Sequence, residues 1–449
     1  MNHTQDVIVR LLTNIGSRKE VEQYLRHYAS VDAPKFAVVK ASGQIIEESL
    51  DALASSLTFL QRVGLIPLVV HGGAAQLDRA IEEAGLDVPL VRGLRPMTPQ
   101  VLEIARRVFH ETNVKLVEAL EAMGTRARPF TSGVFEARAH DDPQLGLVGE
   151  VTHVRDAAII SAARAGVLPI LTSLGETPSG QILVIHADAA ARALALRITP
   201  HKIVYLTQEG GLVTDDGTIR SAVNLAEDYE EVLAEGNLTP ESKNRLGEIK
   251  GMLDQLPPTS SVSITSPENL AKELFTHRGA GTLLRMGERV GRYASFDEVD
   301  KPRLKALLEL CFGRKLYPTY FETKKPHAIY LADSYRATAI VTLENGVPYL
   351  DKFAVTTEAQ GEGIGGSIWK RLRKDSPKLF WRARAQNAVN GWYAQNADGL
   401  YKTDTWWVFW CGMTSFDEIK VCVEHALAMP ATLKNAAPGD APAADAQDM

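Results

Sequence analysis

The stretch that decides the fold of the C-terminal part of the chain is LDKFAVTTEAQGEGIGGSIW, residues 350–369. It begins as an apolar run interrupted by Lys352, continues as a polar loop, and places four glycines within residues 361–366. Apolar residues then return at helical spacing, so the pattern predicts strand, loop and helix. Because glycine-rich backbone at a helix N-terminus exposes unsatisfied N–H groups, the loop predicts a seat for the pyrophosphate of a ligand. A flexible turn before a surface helix is the alternative.

Residues 360–365, QGEGIG, resemble the acetyl-CoA signature of the GNAT acetyltransferases. Residues 350–399 also resemble the acetyltransferase domain of N-acetylglutamate synthases of the vertebrate-like and bifunctional synthase/kinase type, through Lys352 and through WRARAQNAVNGWYAQNADG, residues 381–399. The resemblance implies acetyl-CoA as co-substrate and L-glutamate as acetyl acceptor. The cofactor-binding positions that it implies are Phe353, Ala354, Val355, Gln360, Gly361, Gly363, Gly365 and Gly366.

The same resemblance implies that Lys352 and Arg382 bind the substrate. From the residues alone, Lys352 is either an edge residue whose ammonium reaches water or a cation aimed at an anionic ligand. Arg382 offers a planar fork for a carboxylate, but Arg384 shares its face of the strand and could be the one used. The resemblance favours Arg382.

The resemblance further implies Asn387 and Tyr393 as catalytic residues. A helix that begins near Ala388 would place Asn387 at its N-cap and Tyr393 about two turns further on. The Tyr393 phenol could then donate a proton to the departing thiolate, while Asn387 orients the attacking amine. The alternative is that Tyr393 is a buried aromatic residue and Asn387 only a cap. We also expect no metal ligand in this site.

Composition excludes several classes of protein. With 449 residues, two or three domains are expected. A formal charge of -6 and a pI near 6.0 argue against a nucleic-acid partner. The three cysteines have no metal-ligand spacing, and no apolar run suits a membrane span or a signal peptide. We expect a soluble cytoplasmic enzyme that acts on small molecules.

The N-terminal part repeats the order strand, glycine-rich turn and helix, which predicts parallel strands joined by crossover helices. The strand 35–41 delivers Lys40 to its end, a helix follows at 47–63, and the strand 66–70 leads into HGGAAQ, residues 71–76. Further strands are predicted at 167–172, 203–207 and 261–265, and further helices at 99–123, 156–165, 187–196 and 240–256. We predict a three-layer α/β/α sandwich.

These landmarks resemble the amino-acid kinase fold, and specifically the acetylglutamate kinases, over about residues 35–285. The kinase-like positions that the resemblance implies are Lys40, Gly43, Gly72, Gly73, Arg95 and Asp188. The sequence departs from the family at Ser42, Ala74, Ala75 and His186, at Val184, which cannot hydrogen-bond a substrate, and at a cation position that falls on Arg245 or on Lys250. We therefore predict a degenerate kinase half, with ATP and Mg²⁺ as ligands only if that half is active.

An effector site for L-arginine is a further expectation from the resemblance. It would include Tyr24, Lys202, Glu273 and Gly279. Tyr24 lies in an N-terminal helical segment, residues 1–30, which either packs on its own domain or promotes oligomerisation, and a homo-tetramer is favoured. Plain helix packing for Tyr24 and a solvated strand start for Lys202 are the alternatives.

The predicted domains are therefore the helical segment 1–30, a kinase-like domain at 31–286, a GNAT α+β acetyltransferase domain at 287–430, and a disordered tail at 431–449. Within the third, a helix is predicted at 301–312 and strands at 328–333, 338–342 and 349–355. Three functions remain: an N-acetyl-L-glutamate synthase with a degenerate kinase half, a bifunctional enzyme that also phosphorylates N-acetylglutamate with ATP, and a non-catalytic arginine sensor. The intact acetyl-CoA loop favours the first.

Overall fold

The computed structural model describes residues 36–257, 260–275, 280–357, 359 and 363–434, with only the backbone described at Pro240, Glu241 and Phe275. The chain divides into two compact units between Met286 and Gly287. Within the described ranges no helix is both long and apolar enough to cross a membrane.

The first unit alternates strands and helices. Its strands are β1 (Ala37–Ala41), β2 (Leu68–His71), β3 (Ala127–Phe130), β4 (Phe135–Ala139), β5 (Val148–Val154), β6 (Leu168–Thr172), β7 (Leu174–Glu176), β8 (Ile182–Ile185), β9 (Lys202–Leu206), β10 (Ala222–Asn224), β11 (Ser261–Thr265) and β12 (Thr282–Arg285). Its helices are α1 (Gly43–Glu48), α2 (Leu50–Arg62), α3 (Ala74–Glu83), α4 (Pro99–Ala122), α5 (Ala157–Arg164), α6 (Ala187–Ile198), α7 (Tyr229–Leu233), α8 (Pro240–Leu253) and α9 (Leu270–Phe275).

Eight of these strands form one sheet in the order β10-β12-β11-β9-β1-β2-β6-β3. Its pairs are parallel except for β11 with β12. The central strand β1 is buried along its whole length, as a strand covered by helices on both faces should be. Because β1 and β2 are parallel neighbours, the turns that follow them lie at one edge of the sheet.

The amino-acid kinase fold predicted for this half is confirmed, with local corrections. The predicted helix 47–63 is two helices, because α1 already begins at Gly43 and the backbone leaves the helical region at Ser49 (φ -127°, ψ 32°). Ser42 explains the early start, since its hydroxyl accepts a hydrogen bond from Ile45 N at 3.2 Å as an N-cap. The closed barrel β4-β5-β8-β7 was not predicted.

The second unit is one seven-stranded sheet with helices on both faces. Its elements are β13 (Val290–Tyr293), α10 (Lys301–Phe312), α11 (Tyr320–Thr323), β14 (Ala328–Ala332), β15 (Ala337–Glu344), β16 (Val347–Val355), α12 (Ile364–Asp375), β17 (Leu379–Arg384), α13 (Asn390–Asn396), β18 (Gly399–Lys402), β19 (Trp406–Cys411) and α14 (Phe416–Ala428). The strand order is β13-β14-β15-β16-β17-β19-β18. This confirms the predicted GNAT α+β architecture.

Two irregularities in β16 shape this sheet. The first is a β-bulge, because Leu350 pairs with Val341 and Lys352 with Ile340, which leaves Asp351 as an extra residue. The second is its parallel pairing with β17, which is registered only at Tyr349 and Phe380. Beyond that pair the described residues of the two strands form no further ladder pair, and we call the unpaired region between them the cleft.

The predicted disordered tail 431–449 is wrong at its beginning. Lys434 N donates to Lys315 O at 2.8 Å, Tyr317 N donates to Thr432 O at 3.3 Å, and Leu433 forms an antiparallel bridge with Leu316. These backbone bonds hold residues 432–434 against the segment that follows α10. Residues 435–449 lie outside the described part of the chain.

Candidate functional site

The predicted pyrophosphate seat lies at the N-terminus of α12. Gly363 is its N-cap in the left-handed region (φ +83°). A Cβ on Gly365 would lie 3.0 Å from Cγ2 of Val355, whereas a Cβ on Gly366 would meet nothing within 4 Å. The first-turn N–H groups of a helix have no helical acceptor, so this open end suits an anion. Gln360 and Gly361 lie outside the described residues.

The predicted cofactor residues Phe353, Ala354 and Val355 form the end of β16, beside this seat. Phe353 stacks on Trp392 at 5.8 Å between ring centroids and at an interplanar angle of 4°. Trp369 contacts both rings edge-on, at 5.9 Å from Phe353 and 5.0 Å from Trp392. This aromatic packing ties α12 and α13 to the strand that borders the cleft.

Lys352 lies on the opposite face of β16, in a buried ionic network. Its ammonium donates to Oδ2 and to the backbone O of Asp351 at 2.7 and 3.0 Å. Asp351 also accepts from Tyr320 Oη at 2.7 Å, and its Oδ1 lies 3.6 Å from the Lys324 ammonium. Both members of the central pair are buried, at 5% and 4% side-chain exposure. Lys352 is therefore a fixed buried cation and not a solvent-reaching edge residue.

The network keeps Asp351 ionised. Burial raises the pKa of Asp351, but the charges of Lys352 and Lys324 and the hydrogen bonds outweigh burial, so the pKa lies below its usual value. Burial lowers the pKa of Lys352, and the adjacent Asp351 carboxylate opposes that shift. The positive charge of Arg382 also lowers the pKa of Lys352.

Arg382 and Arg384 have different partners. Nη1 of Arg382 donates to Ala426 O at 2.6 Å and to Leu427 O at 3.5 Å, and Nη2 donates to Pro430 O at 3.2 Å. Ala426 and Leu427 belong to the last turn of α14, where a cation is favoured, and Pro430 follows the helix. The side chain of Arg384 is exposed, and within the described ranges its guanidinium makes no hydrogen bond or ion pair.

Both guanidinium groups face the Trp406 ring, at 4.2 Å for Arg382 and 5.0 Å for Arg384. They therefore share one face of β17, as their spacing predicted. The guanidinium of Arg384 is available for a ligand, whereas that of Arg382 binds carbonyls at and after the end of α14. The alternative that the sequence left open, Arg384 as the carboxylate ligand, is the one that this geometry favours.

The predicted catalytic pair lies around α13, with one correction. The helix begins at Asn390, with Val389 as its N-cap, so Asn387 is not the cap. Asn387 Oδ1 instead accepts from Val389 N at 3.1 Å, which is a local Asx turn ahead of the helix. Tyr393 consequently lies near the start of the helix and not two turns into it.

Tyr393 is buried in the aromatic cluster, where its ring contacts Trp381 and Phe409 at 5.5 Å. Burial raises the pKa of its phenol, so the hydroxyl stays protonated and can act as an acid. Among the described residues that hydroxyl has no hydrogen-bond partner. Tyr393 is thus a buried aromatic residue, as the alternative interpretation expected. Its hydroxyl is nevertheless available to donate a proton.

In the first unit, three of the kinase-like charges meet at the ends of the central strands. Nζ of Lys40 lies 2.8 Å from Oδ1 of Asp188, and both side chains are buried. Nε of Arg245 lies 3.9 Å from Oδ2 of the same carboxylate. Burial raises the pKa of Asp188, but Lys40, His186 and Arg245 outweigh burial and lower it. Lys250 instead pairs with Asp254 at 3.5 Å, so Arg245 occupies the cation position.

The two glycine turns approach each other closely beside this pair. A Cβ on Gly43 would lie 2.8 Å from Cα of Gly73, and a Cβ on Gly73 would lie 2.7 Å from the Phe109 ring. Nε2 of Gln76 donates to Gly43 O at 2.7 Å and joins the turns. Ala74 and Ala75 lie in the exposed first turn of α3, outside this contact. The glycines retained in the sequence are therefore those that the packing requires.

The side chain of His71 stabilises the second glycine turn, at Gly72 and Gly73. Its Nε2 lies 3.0 Å from Asn113 Nδ2, and its Nδ1 lies 3.1 Å from Gly72 O. Because the Asn113 amide nitrogen can only donate, the neutral imidazole carries its proton on Nδ1 and donates it to Gly72 O. Burial lowers the pKa of His71 to about 4, and the bond to Gly72 opposes that shift.

Arg95 does not join the charged cluster in this structure. Its Nη2 lies 2.7 Å from Asp78 on α3, and its Nη1 donates to Val88 O. Of the predicted effector residues, Lys202 and Glu273 lie close enough to interact, while Tyr24 and Gly279 fall outside the described residues. Burial lowers the pKa of Lys202 to about 8, and Glu273 opposes that shift.

Glu273 is buried and accepts hydrogen bonds from Ser263 Oγ at 2.6 Å and from Ala280 N at 2.7 Å. In the described ranges no group of three or more His, Cys, Asp or Glu residues could hold a metal ion.

Sequence reasoning missed four residues of the second site: Asp351, Tyr320, Lys324 and Thr432. A signal existed for Asp351, because a carboxylate stood beside Lys352 in an otherwise apolar strand. No sequence pattern pointed to the other three, because the fold brings them to Lys352 from distant segments.

The fold and these sites define a transferase with an amino-acid kinase unit and an acetyltransferase unit. Residues 35–255 match the amino acid kinase family, and residues 291–428 match the N-acetyltransferase of N-acetylglutamate synthase. The chain is 47% identical over 419 residues to an acetylglutamate kinase of Xylella fastidiosa, covering 93% of this chain and 100% of that protein. It is 31% identical to the mitochondrial N-acetylglutamate synthase of Danio rerio, covering 92% and 78%. The chain therefore belongs to the family in which these two domains are fused.

A crystal structure supports the same fold. The N-acetylglutamate synthase of Neisseria gonorrhoeae, complexed with coenzyme A and N-acetylglutamate, aligns with a TM-score of 0.64 and 20% identity. The alignment covers 88% of this chain and 98% of that one.

Proposed function

We propose that the chain is a bifunctional enzyme that acetylates L-glutamate with acetyl-CoA and phosphorylates the resulting N-acetylglutamate with ATP. For the first activity, the supporting observation is the cleft between β16 and β17. It has an anion seat at the N-terminus of α12 on one side, and the buried cation of Lys352 and the free fork of Arg384 on the other.

In the acetyl transfer, the glutamate amine attacks the thioester carbonyl of acetyl-CoA. A C–N bond forms and the C–S bond breaks, so the amine must lose a proton and the thiolate must gain one. Tyr393 is the proton donor to the sulfur, and Asn387 orients the amine or a water that accepts its proton. The guanidinium of Arg384 binds one carboxylate and the buried charge of Lys352 attracts the other, so orientation supplies much of the rate and no covalent acyl-enzyme is needed.

For the second activity we revise the prediction of a degenerate kinase half. The relative with 47% identity over its whole length is an acetylglutamate kinase. The charged cluster of Lys40, Asp188 and Arg245 supports activity, because phosphoryl transfer depends mainly on positioned charge. Ser42 serves as a helix cap, and Ala74 lies outside the contact between the glycine turns, so neither substitution disturbs that contact.

Two separate assays test the proposal. The protein is incubated with glutamate and acetyl-CoA, and in parallel with N-acetylglutamate, ATP and Mg²⁺, and each product is measured. We expect both products, with turnover of about one per second or faster, within the ordinary enzyme range. Asp188→Asn should abolish the second product and leave the first unchanged. If only N-acetylglutamate forms, the kinase half is degenerate after all, and if neither product forms, the proposed function is wrong.

The effector site is a second proposal. Glu273, with the neighbouring Lys202, provides a buried carboxylate suited to the guanidinium of L-arginine. Titration of the wild type and of Glu273→Gln with L-arginine, followed by calorimetry, tests it. Equal heats for both proteins would show that Glu273 binds no arginine.

A further inference from the structure

The residues that follow α14 contact several cations of the second unit. We call residues 430–434 the C-terminal segment. Its Thr432 Oγ1 lies 2.7 Å from the Lys352 ammonium, and its Pro430 O accepts from Arg382 at 3.2 Å. Arg314 donates to Leu433 O at 3.3 Å and to Lys434 O at 2.8 Å. The C-terminal segment therefore contacts three cations of the second unit, Lys352, Arg382 and Arg314.

The position of Thr432 is fixed by backbone bonds. Thr432 O accepts from Tyr317 N at 3.3 Å, and the next residue, Leu433, bridges to Leu316. The backbone bonds of Thr432 and Leu433 therefore hold the short Thr432 side chain in place, with its hydroxyl beside the Lys352 ammonium.

The ammonium of Lys352 has no donor left for a ligand. It carries three N–H bonds, and its partners are Asp351 Oδ2, Asp351 O and Thr432 Oγ1. Thr432 is half-buried, whereas Lys352 is only 5% exposed, so an anion that approaches from solvent reaches the hydroxyl first.

The hydroxyl proton of Thr432 is available. Oγ1 accepts its hydrogen bond from Lys352, and within the described residues the hydroxyl donates to no acceptor. A hydroxyl that accepts a hydrogen bond from a cation becomes a stronger donor. Its hydrogen bond to a carboxylate is charge-assisted and is therefore stronger than one to a neutral acceptor.

We propose that Thr432 is a specificity-determining residue of the amino-acid site, and that it donates its hydroxyl proton to a carboxylate of the substrate while it accepts from Lys352. Lys352 then acts as a positioning residue that polarises the hydroxyl, and Arg384 provides the fork for a second carboxylate. The substrate class is an L-amino acid with a side-chain carboxylate. The inference rests on the proposed acetylation of glutamate.

The test compares Thr432→Val, which keeps the shape and removes the hydroxyl, with Thr432→Ser, which keeps the hydroxyl. Steady-state kinetics with glutamate and acetyl-CoA give both KM values and kcat. We expect Thr432→Val to raise the glutamate KM about tenfold or more, the loss of one charge-assisted hydrogen bond, and to leave the acetyl-CoA KM unchanged. Thr432→Ser should stay within about twofold of wild type.

Calorimetric binding of N-acetylglutamate to the acetyltransferase site, measured in an Asp188→Asn background, separates this inference from the proposed function. If wild type does not acetylate glutamate yet binds N-acetylglutamate about tenfold more tightly than Thr432→Val, the proposed function fails and the role of Thr432 stands. An unchanged glutamate KM in Thr432→Val overturns the inference. So does a lowered KM, because the segment would then compete with the substrate, and so does an equal rise in both KM values, which indicates a merely structural role.

Discussion

Oδ2 of Asp351 lies 2.7 Å from Nζ of Lys352, although the two residues are consecutive in one strand. Consecutive side chains of a regular strand point to opposite faces. The β-bulge at Asp351 removes that alternation, so both charges enter the same face and form a buried pair. The buried ion pair between Asp351 and Lys352 thus depends on the one extra residue in β16.

We expect Asp351→Asn to leave the Lys352 ammonium buried without a counter-charge. The free energy of unfolding of the second unit should fall by about 3 to 5 kcal/mol. Tryptophan fluorescence during urea unfolding measures it, because all six tryptophans lie within residues 369–410. The control is Asp297→Asn, which breaks an exposed ion pair with Lys301 and should leave the transition unchanged. Equal transitions for Asp351→Asn and wild type would contradict the buried pair.

Substitutions of the two arginines of β17 should have different effects, one on glutamate binding and the other on the stability of the second unit. Arg384→Ala should raise the glutamate KM about tenfold or more and leave the unfolding transition unchanged, because the exposed Arg384 guanidinium makes no hydrogen bond or ion pair with the described residues. Arg382→Ala should lower the stability of the second unit, since two carbonyls at the end of α14 and the carbonyl of Pro430 lose their donor. Steady-state kinetics and urea unfolding of both variants measure this. A stable Arg382→Ala protein with the larger rise in KM would reverse the assignment.

Gly366→Val tests the anion seat without a steric conflict inside the protein, because a Cβ there meets nothing within 4 Å. We expect the acetyl-CoA KM to rise about tenfold or more while the glutamate KM and the unfolding transition stay unchanged. Gly391→Ala is the matched control, since the glycine in α13 is equally open. If Gly366→Val leaves the dependence on acetyl-CoA unchanged, the pyrophosphate lies elsewhere.

Tyr393→Phe should lower kcat about tenfold or more, near the lower end of the range for acid catalysis, with little change in the glutamate KM. Phenylalanine keeps the ring, so the contacts with Trp381 and Phe409 should survive the change. Tyr401→Phe, at a residue that is 50% exposed, is the control and should have full activity. Full kcat in Tyr393→Phe under saturating substrate would show that another group protonates the thiolate.

His71 should make the first unit sensitive to acid. Its pKa is about 4 in the folded chain and near 6.5 when unfolded, so the unfolded state binds the extra proton between these values. The stabilisation by neutral His71 is complete above pH 6.5 and is lost as the pH falls toward 4, by up to about 3 kcal/mol.

Because all six tryptophans lie in the second unit, tryptophan fluorescence does not report the unfolding of the first unit. Far-UV circular dichroism during urea unfolding, at pH 7 and pH 4.5, measures the loss of stability of the first unit. His71→Gln, which does not titrate, should lose less stability between the two pH values. The same loss in both proteins would mean that other groups cause the acid sensitivity.

Sequence reasoning predicted both folds because their signals are local. Glycine turns after apolar strands, such as Gly72 and Gly73 after β2, fix the order of elements in the kinase unit, and β11 and α10 were predicted with the bounds that the structure has. The four-stranded barrel was missed because its strands are short and β4 is partly exposed, which hides any alternation.

For the proposed acetyltransferase site, the sequence suggested the central residues and did not suggest the surrounding ones. Lys352 and Tyr393 lie in one contiguous stretch, where spacing and resemblance can find them. The bulge at Asp351 breaks the alternation on which strand reading depends. Thr432 meets Lys352 through a separation of 80 residues, and no local pattern encodes such a contact.

The sheet of the second unit consists of two blocks, β13 to β16 and β17 to β19, and the registered hydrogen-bonded contact between them is one residue pair. Past that pair, the facing edges keep backbone donors and acceptors that strand pairing does not use. A molecule that bound in the cleft could use these groups as a missing strand would, and part of its binding free energy would then stabilise the contact between the blocks. Binding of the proposed substrate would in that case also raise the stability of the second unit.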